Sequence, residues 1–349
     1  MKNLLLFFLV TIFCLASFYS QAQIPALSSN PGALSVLLID MDGHTDNSGW
    51  WGGGNVVTAT SGYSSAQATE VFNRVSEDFR PFNINVTTQQ SVYDAADVAN
   101  RQRVVLTPTD AWYNTGSGFI AGGVAYYNTF GGGEIACWVF TNRMGGSAAN
   151  AAEAASHEIG HTLGLAHHAR YNSDCTINTA YHSGQGSGQT SWAPLMGTGY
   201  GRTISQWYNG ASNSSTCTGS IQDDLKIMTT TNGFDYRTDD GGNTIGTATT
   251  LPLVGGSATT TNLITTNTDL DVFKVSISIA GVYNIQVVPY SQVPSTYSGA
   301  NLDAKLQIMN AGGTVLANAD PIATLDASAY LYLSPGDYYV SVDGSGVPN

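Results

Sequence analysis

The segment from His157 to His167 (HEIGHTLGLAH) constrains this chain more than any other feature. His157 and His161 are four residues apart, so on a helix both side chains leave the same face and can bind one metal ion. Gly164 can adopt a positive φ, which ends a helix sharply. The chain can then turn and bring His167 to the same ion. The segment therefore predicts a three-histidine metal site at the end of a helix.

Glu158 follows the first histidine and lies beside the predicted metal, but its direction on the helix is poor for a ligand. Its carboxylate can instead hold and deprotonate a water on the metal. Three protein ligands leave one coordination position open, as in catalytic zinc sites. The sequence thus predicts Zn²⁺ as cofactor and Glu158 as the catalytic residue. A helix with ordinary surface histidines would explain neither Gly164 nor His167.

The helix that carries this site is expected over Ala148 to Leu163. Six alanines in this range favour helix, and Ser147 or Asn150 can cap its start.

Residues 1–22 have the pattern of an export signal, with Lys2, an apolar core and a small-x-small site that predicts cleavage after Ala22. Secretion is therefore the expected localisation. The formal charge of −13 disfavours nucleic acid and anionic membrane surfaces as partners.

Three cysteines follow the export signal. Cys137 lies in a run that reads as a buried strand, which predicts a free packed thiol. Cys175 and Cys217 lie in polar, loop-like sequence, and export favours a disulfide between them.

The order of elements before the site predicts an α+β fold, in which helices cover a mixed sheet. A last helix is expected over Ser220 to Thr230. Gly123 to Phe130 reads as an edge strand that could pair with an extended substrate. Strands are expected at 33–41, 84–88, 103–106 and 134–140, and a helix at 66–80.

The composition changes to Asp, Gly, Thr and Asn near residue 238, which predicts a linker over 238–249. Short strands and turns then alternate over 250–349, typical of a small all-β sandwich. The sequence stops at Asn349 within a turn-like stretch, so this second domain is expected to be incomplete. Residues 23–237 form the first predicted domain.

The segment from His157 to His167 resembles the zinc signature of the metzincin metallopeptidases. That clan also has a turn with a methionine beneath the metal, and Ser191–Gly197 (SWAPLMG) is similar to it. The resemblance covers residues 33–237. It implies zinc ligation by the three histidines, general-base catalysis by Glu158, and Met196 as the floor of the site.

Within the clan, the chain is most similar to secreted bacterial reprolysin-like enzymes, although His168 departs from the residues common after the third ligand. His168 is expected beside the site, with ligation in place of His167 as the alternative. Thr198 stands where some members carry a metal-binding tyrosine. Tyr200 could line the substrate pocket together with Thr198, or be a packed loop residue.

The region from Asp269 to Val342 resembles the bacterial pre-peptidase C-terminal domain, which accompanies secreted peptidases. Its aspartates can serve strand ends and turns. Calcium binding by Asp269, Asp271 or Asp303 is the alternative.

Together these patterns predict a secreted, monomeric zinc endopeptidase that cleaves extended polypeptides. Two other functions stay open at this point: a zinc amidase acting on a cell-wall or other non-protein amide, and a non-catalytic adhesin stabilised by zinc.

Overall fold

A computed structural model describes residues 23–113, 120–213 and 221–345. The predicted export signal and Cys217 lie outside these residues, so cleavage after Ala22 and the Cys175–Cys217 disulfide stay predictions. The described chain is a mixed α/β structure with several sheets and few helices. None of its helices is long and apolar enough to cross a membrane.

The described residues up to 237 form thirteen strands and four α-helices, with a π-helical turn after the last helix. Their bounds are β1 Ser35–Asp40, β2 Thr45–Asp46, β3 Val56–Val57, α1 Ser65–Asp78, β4 Ile84–Thr87, α2 Gln90–Ala95, β5 Arg101–Thr107, β6 Gly123–Val124, β7 Cys137–Phe140, α3 Ala148–Thr162, β8 Arg170–Tyr171, β9 Ile177–Thr179, β10 Trp192–Pro194, β11 Ile204–Gln206, β12 Asn209–Ala211, β13 Ile221–Asp223, α4 Asp224–Lys226 and the π-turn Ile227–Thr231.

Seven strands follow residue 237 in the described chain. They are β14 Thr249–Thr250, β15 Asp271–Ile277, β16 Gly281–Val287, β17 Ala304–Asn310, β18 Val315–Ala319, β19 Ala327–Leu333 and β20 Gly336–Gly344; short 3₁₀ turns lie at Val98–Asn100, Gly188–Thr190 and Ile245–Thr247.

The principal sheet has the strand order β4-β1-β5-β7-β6. Its first four strands are parallel, and β6 runs antiparallel to β7 at the edge. Strands such as β1 are apolar at successive positions because both faces of a covered parallel sheet are buried. The sheet therefore ends in the short edge strand β6, which lies near α3.

Helices α1 and α3 pack against each other on one face of this sheet. A capping box of Ser64 and Gln67 begins α1, and the Ser147 side chain accepts a hydrogen bond from the Asn150 N–H at the start of α3. The alanines of α3, fully buried at Ala151 and Ala155, let the helix lie close to its neighbours. This packing fixes the position of the histidines at the far end of α3.

The strands after residue 248 form a five-stranded sheet, β14-β15-β20-β17-β18, and a separate pair, β16-β19. One apolar cluster joins the two sheets, with Leu306 and Ile308 from the larger sheet and Ala327 from the pair. Alternate residues of β17 are buried, as expected for a strand with one covered face.

The loop between β16 and β17 contacts the α1 side of the first part of the chain. Asn301 Nδ2 donates to Asp78 Oδ1 at 2.9 Å, and Arg74 donates to the Ser298 hydroxyl at 2.9 Å. Ala300 lies in an apolar cluster with Trp192. The second part of the chain therefore packs on the first through this loop.

Two predicted elements differ from the observed ones. The strand expected over 123–130 is limited to β6, because the following residues turn toward α3, where Asn128 N–H donates to His161 O. The helix expected over 220–230 begins as strand β13, which pairs with β12, and becomes helical only from Asp224. Pairing with a distant strand overrides the local helical pattern there.

Candidate metal centre

The end of α3 turns the chain so that three histidines meet. Gly164 has φ +87°, and Leu165 N–H donates to Gly160 O at 3.0 Å, so the helix ends in a left-handed glycine as predicted. One ring nitrogen from each of His157, His161 and His167 lies within 4.8 Å of the other two. The structure therefore brings together all three predicted ligands.

The histidines are held with their Nε2 atoms turned toward one another. His157 Nδ1 lies 2.7 Å from Leu195 O, and His161 Nδ1 lies 2.7 Å from Leu165 O. A proton on each Nδ1 satisfies these carbonyls, so each Nε2 keeps its lone pair for a metal. The Nε2 atoms of His161 and His167 are 2.9 Å apart, a separation that one ion bonded to nitrogen at about 2.0–2.1 Å can bridge.

The third histidine has a side-chain partner on its other nitrogen. Asn213 Nδ2 lies 3.2 Å from His167 Nδ1. With the amide rotated by half a turn, Oδ1 faces the ring and accepts a hydrogen bond from an Nδ1–H. The Asn213 amide thus orients the His167 ring for ligation through Nε2.

Burial keeps these imidazoles neutral. It lowers the pKa of His157 well below its usual value and lowers that of His161, in each case with a backbone carbonyl opposing the shift. Burial, followed by repulsion from His161 and His168, lowers the pKa of His167 to about 4. A neutral imidazole is the form that binds a metal, so the donor set fits a zinc ion.

Glu158 lies beside the histidines and against the edge strand. Its side chain is buried, and burial raises its pKa to about 8. A Cβ on Gly123 would stand 2.6 Å from Glu158 Oε1. The carboxylate therefore occupies the space that the missing side chain of Gly123 leaves open in β6.

Met196 is fully buried beneath α3. A Cβ on Gly160 would collide with Met196 Sδ and would lie 3.3 Å from Met196 Cε and from Trp207 Cζ3. His168 N–H donates to Met196 O at 2.8 Å, so the same segment is tied to the chain that follows His167. Met196 thus lies under the histidines without being among the atoms that converge on the metal position.

His168 points away from the three-histidine cluster. It is completely buried, and its Nε2 lies 3.0 Å from Asp224 Oδ1. Asp224 also accepts from Tyr208 N–H and from Gln222 Nε2. His168 and Asp224 therefore form a buried polar contact that supports the turn after His167, and His168 is not placed to replace His167.

The two predicted pocket residues follow Met196. Thr198 N–H donates to His182 O, and Tyr200 is 47% exposed with its hydroxyl 3.8 Å from the position of a Gly122 Cβ. The residues around Tyr200 line a cavity of about 230 Å³ beside α3. Tyr200 therefore lies between the edge strand and this cavity, while Thr198 belongs to the segment before it.

Tyr181 is a further residue at the site that the sequence did not indicate. Its ring centroid lies 4.2 Å from that of His167 and 6.4 Å from that of His157, and the side chain is 41% exposed. It comes from a loop after β9, so neither motif nor periodicity marks it. Its ring therefore lies beside two of the three histidines.

Cys137 is a buried free thiol, as expected, with Sγ 3.5 Å from Arg103 O.

No protein-family model matches the sequence, and no curated protein matches it.

Proposed function

We propose that this protein is a secreted, monomeric zinc-dependent endopeptidase of the metzincin type, which hydrolyses peptide bonds in extended polypeptides. The observation that carries the proposal is the convergence of His157, His161 and His167 next to the buried carboxylate of Glu158. The mixed sheet, the α3 helix and Met196 beneath it support a metzincin-like domain over residues 23–237. The two packed sheets after residue 248 support a small β-sandwich of the pre-peptidase C-terminal type.

His157, His161 and His167 would hold the zinc through Nε2. When bound there, zinc supplies a Lewis acid that activates water and polarises the scissile carbonyl. Tyr181 packs against His167, and its hydroxyl would donate to an oxygen that becomes negative as the carbonyl is attacked.

Glu158 moves the proton in the proposed reaction. Its carboxylate takes a proton from the attacking water and passes it to the nitrogen of the leaving amine.

Strand β6 would align the substrate. Its pairing with β7 leaves its other edge without a neighbouring strand in the described sheet. An extended peptide that adds to this edge passes over Gly123, and Gly123 contacts Glu158. Backbone pairing at β6 therefore places a peptide group beside the general base.

The test is hydrolysis of casein and gelatin by the purified mature protein, with bound zinc quantified and 1,10-phenanthroline as the inhibitor. We expect about one zinc per chain and cleavage that the chelator abolishes. Glu158→Gln should keep the zinc and lose activity by roughly 10²-fold or more. The exposed Glu134→Gln is the matched control, since it removes another glutamate charge outside the site.

Each contrary outcome has a distinct meaning. Full activity in Glu158→Gln would contradict the role of Glu158. Bound zinc without cleavage of any protein substrate would overturn the peptidase proposal in favour of the amidase or the adhesin. A protein without zinc would overturn the metal site itself.

A further inference from the structure

A second group of convergent oxygen donors lies far along the chain from the histidines. Asp239 and Asp240 belong to the predicted linker, and Asp271 begins β15. One carboxylate oxygen from each of the three lies within 4.8 Å of the other two. We call these three residues the linker carboxylates.

Asp271 is the buried member of the linker carboxylates. Its residue is only 2% exposed, and its Oδ1 has no hydrogen-bond partner. A buried carboxylate oxygen without a partner is costly, and such groups are almost always satisfied by a donor or by a cation. The unpartnered oxygen therefore leaves Asp271 with unused capacity to accept from a donor or bind a cation.

The linker closes over Asp271 in a fixed conformation. Gly241 passes so close that a Cβ there would collide with Asp271 Oδ1. Val272 N–H donates to Gly242 O at 2.9 Å, and Leu270 N–H donates to Asn243 Oδ1 at 3.0 Å. The linker is thus hydrogen-bonded to the strand on both sides of Asp271.

The two exposed linker carboxylates are also oriented. Asp239 Oδ1 accepts from Gly241 N–H at 2.9 Å, and its Oδ2 accepts from Asn243 Nδ2 at 3.0 Å. Asp240 Oδ1 accepts from Leu263 N–H at 3.1 Å. These bonds use only part of the lone-pair capacity of the two carboxylates, so further oxygen donation remains open.

The charges around Asp271 are all negative. None of the ion pairs among the described residues involves a linker carboxylate. A buried carboxylate beside two other carboxylates, with no cation next to it, is electrostatically unfavourable in its charged form.

We propose that Asp239, Asp240 and Asp271 bind a divalent cation of the calcium type, which fastens the linker to the first residue of β15. The donors are all hard oxygens, which calcium prefers, whereas zinc prefers nitrogen and sulfur. Three carboxylates balance and exceed the charge of one such ion, and backbone carbonyls or water can complete its coordination.

The site differs from the one the sequence indicated. Of Asp269, Asp271 and Asp303, only Asp271 belongs to the convergent set. Asp269 Oδ2 accepts from Thr265 N–H and Oγ1, so that carboxylate mainly orders the preceding turn. The other two ligands come from the linker, about thirty residues earlier in the chain.

The experiment is calcium titration by calorimetry on the full mature chain carrying Glu158→Gln, which removes the proposed peptidase activity during the titration. The protein is first stripped of metal with EDTA, and one equivalent of zinc is restored. We expect one calcium site with a Kd of about 10⁻⁴–10⁻³ M, and weaker binding of Mg²⁺. Adding Asp271→Asn should abolish the heat of binding.

Asp337→Asn is the matched control, because Asp337 is an aspartate of the same sheet that pairs with Lys274 instead. It should bind calcium like its parent. Two further readouts separate binding from misfolding. Saturating calcium should raise the Tm of the parent by roughly 3–8 °C and slow cleavage by added trypsin after Arg237, which directly precedes the linker. Asp271→Asn in EDTA should melt no lower than its parent in EDTA, because it removes the repulsion.

Absence of calcium binding by the parent would overturn the site, as would equal binding by Asp271→Asn. Neither result depends on proteolytic activity. The calcium site and the proposed peptidase function can therefore fail independently.

Discussion

Met196 Sδ lies directly under Gly160, in the space that any larger residue at position 160 would fill. Gly160 is in the interior of α3, one residue before His161, where glycine costs about 1 kcal/mol of helix stability relative to alanine. Close packing on Met196 explains why the helix carries a glycine between two proposed metal ligands.

We expect Gly160→Ala to destabilise the protein although it improves helix propensity. The added methyl must displace Met196 or shift α3, which costs about 1–3 kcal/mol. The histidine cluster should bind zinc more weakly as a result. Thermal melting and zinc affinity measure the two effects.

Met196→Ala provides the comparison. It removes the side chain that the methyl would strike, so Gly160→Ala should cost less in that background than in the wild type. Additive losses of stability in the double variant would show that the two residues do not interact as described.

Replacing His167 or His168 should separate ligation from structural support. His167→Ala removes one of three ligands, and zinc content should fall well below one per chain. His168→Gln should keep the zinc but lower the stability by about 1–3 kcal/mol, since Asp224 stays buried without its ring partner. Zinc analysis and thermal melting of both purified variants are the measurements. Loss of zinc in His168→Gln alone would reverse the assignment.

We expect the free energy of unfolding to decrease as the pH rises toward neutrality, because of the titration of Glu153. Burial raises its pKa from 4.5 to about 7, and burial together with repulsion from Glu153 raises that of Asp78 well above its usual value. Between pH 4.5 and about 7 the folded protein therefore binds more protons than the unfolded chain, so the free energy of unfolding decreases with rising pH.

Thermal melting from about pH 5 to about pH 8 measures this slope. Glu153→Gln should flatten part of it. A slope unchanged by Glu153→Gln would mean that Glu153 titrates alike in the folded and unfolded states.

If a peptide substrate pairs with β6, its rate of cleavage should depend on individual backbone N–H groups of the peptide. In an antiparallel pair only alternate residues exchange hydrogen bonds with the neighbouring strand. N-methylation of one peptide position at a time should therefore lower kcat/KM in an alternating pattern, by roughly 2- to 12-fold per lost bond. A peptide series without alternation would contradict pairing at β6.

Local patterns in the sequence were enough to predict α3, a cap by Ser147 or Asn150, and its glycine end. These features depend on residues near one another in the chain, so spacing and propensity determine them. The mixed α/β character followed from the same kind of pattern. The helix expected over 220–230 was wrong at its start, because β13 pairs with β12 and the Asp223 side chain caps a helix that begins later.

The surroundings of the site depend on contacts between distant residues, and these could not be predicted. Asn213 reaches His167 from 46 positions along the chain, and Tyr181 reaches it from a loop. The burial of Asp271 was equally hidden, since an aspartate at the start of a strand is usually solvated. Only the close approach of Gly241, in the linker, shows that this carboxylate is buried.

The edge position of β6 has a consequence for what the proposed enzyme would attack in its surroundings. A sheet edge reads the peptide backbone, which folded proteins keep occupied within their own helices and sheets. The enzyme would therefore discriminate by conformation more than by sequence. Denatured, damaged or partly digested chains would be degraded, while intact neighbours of the same composition would persist beside it.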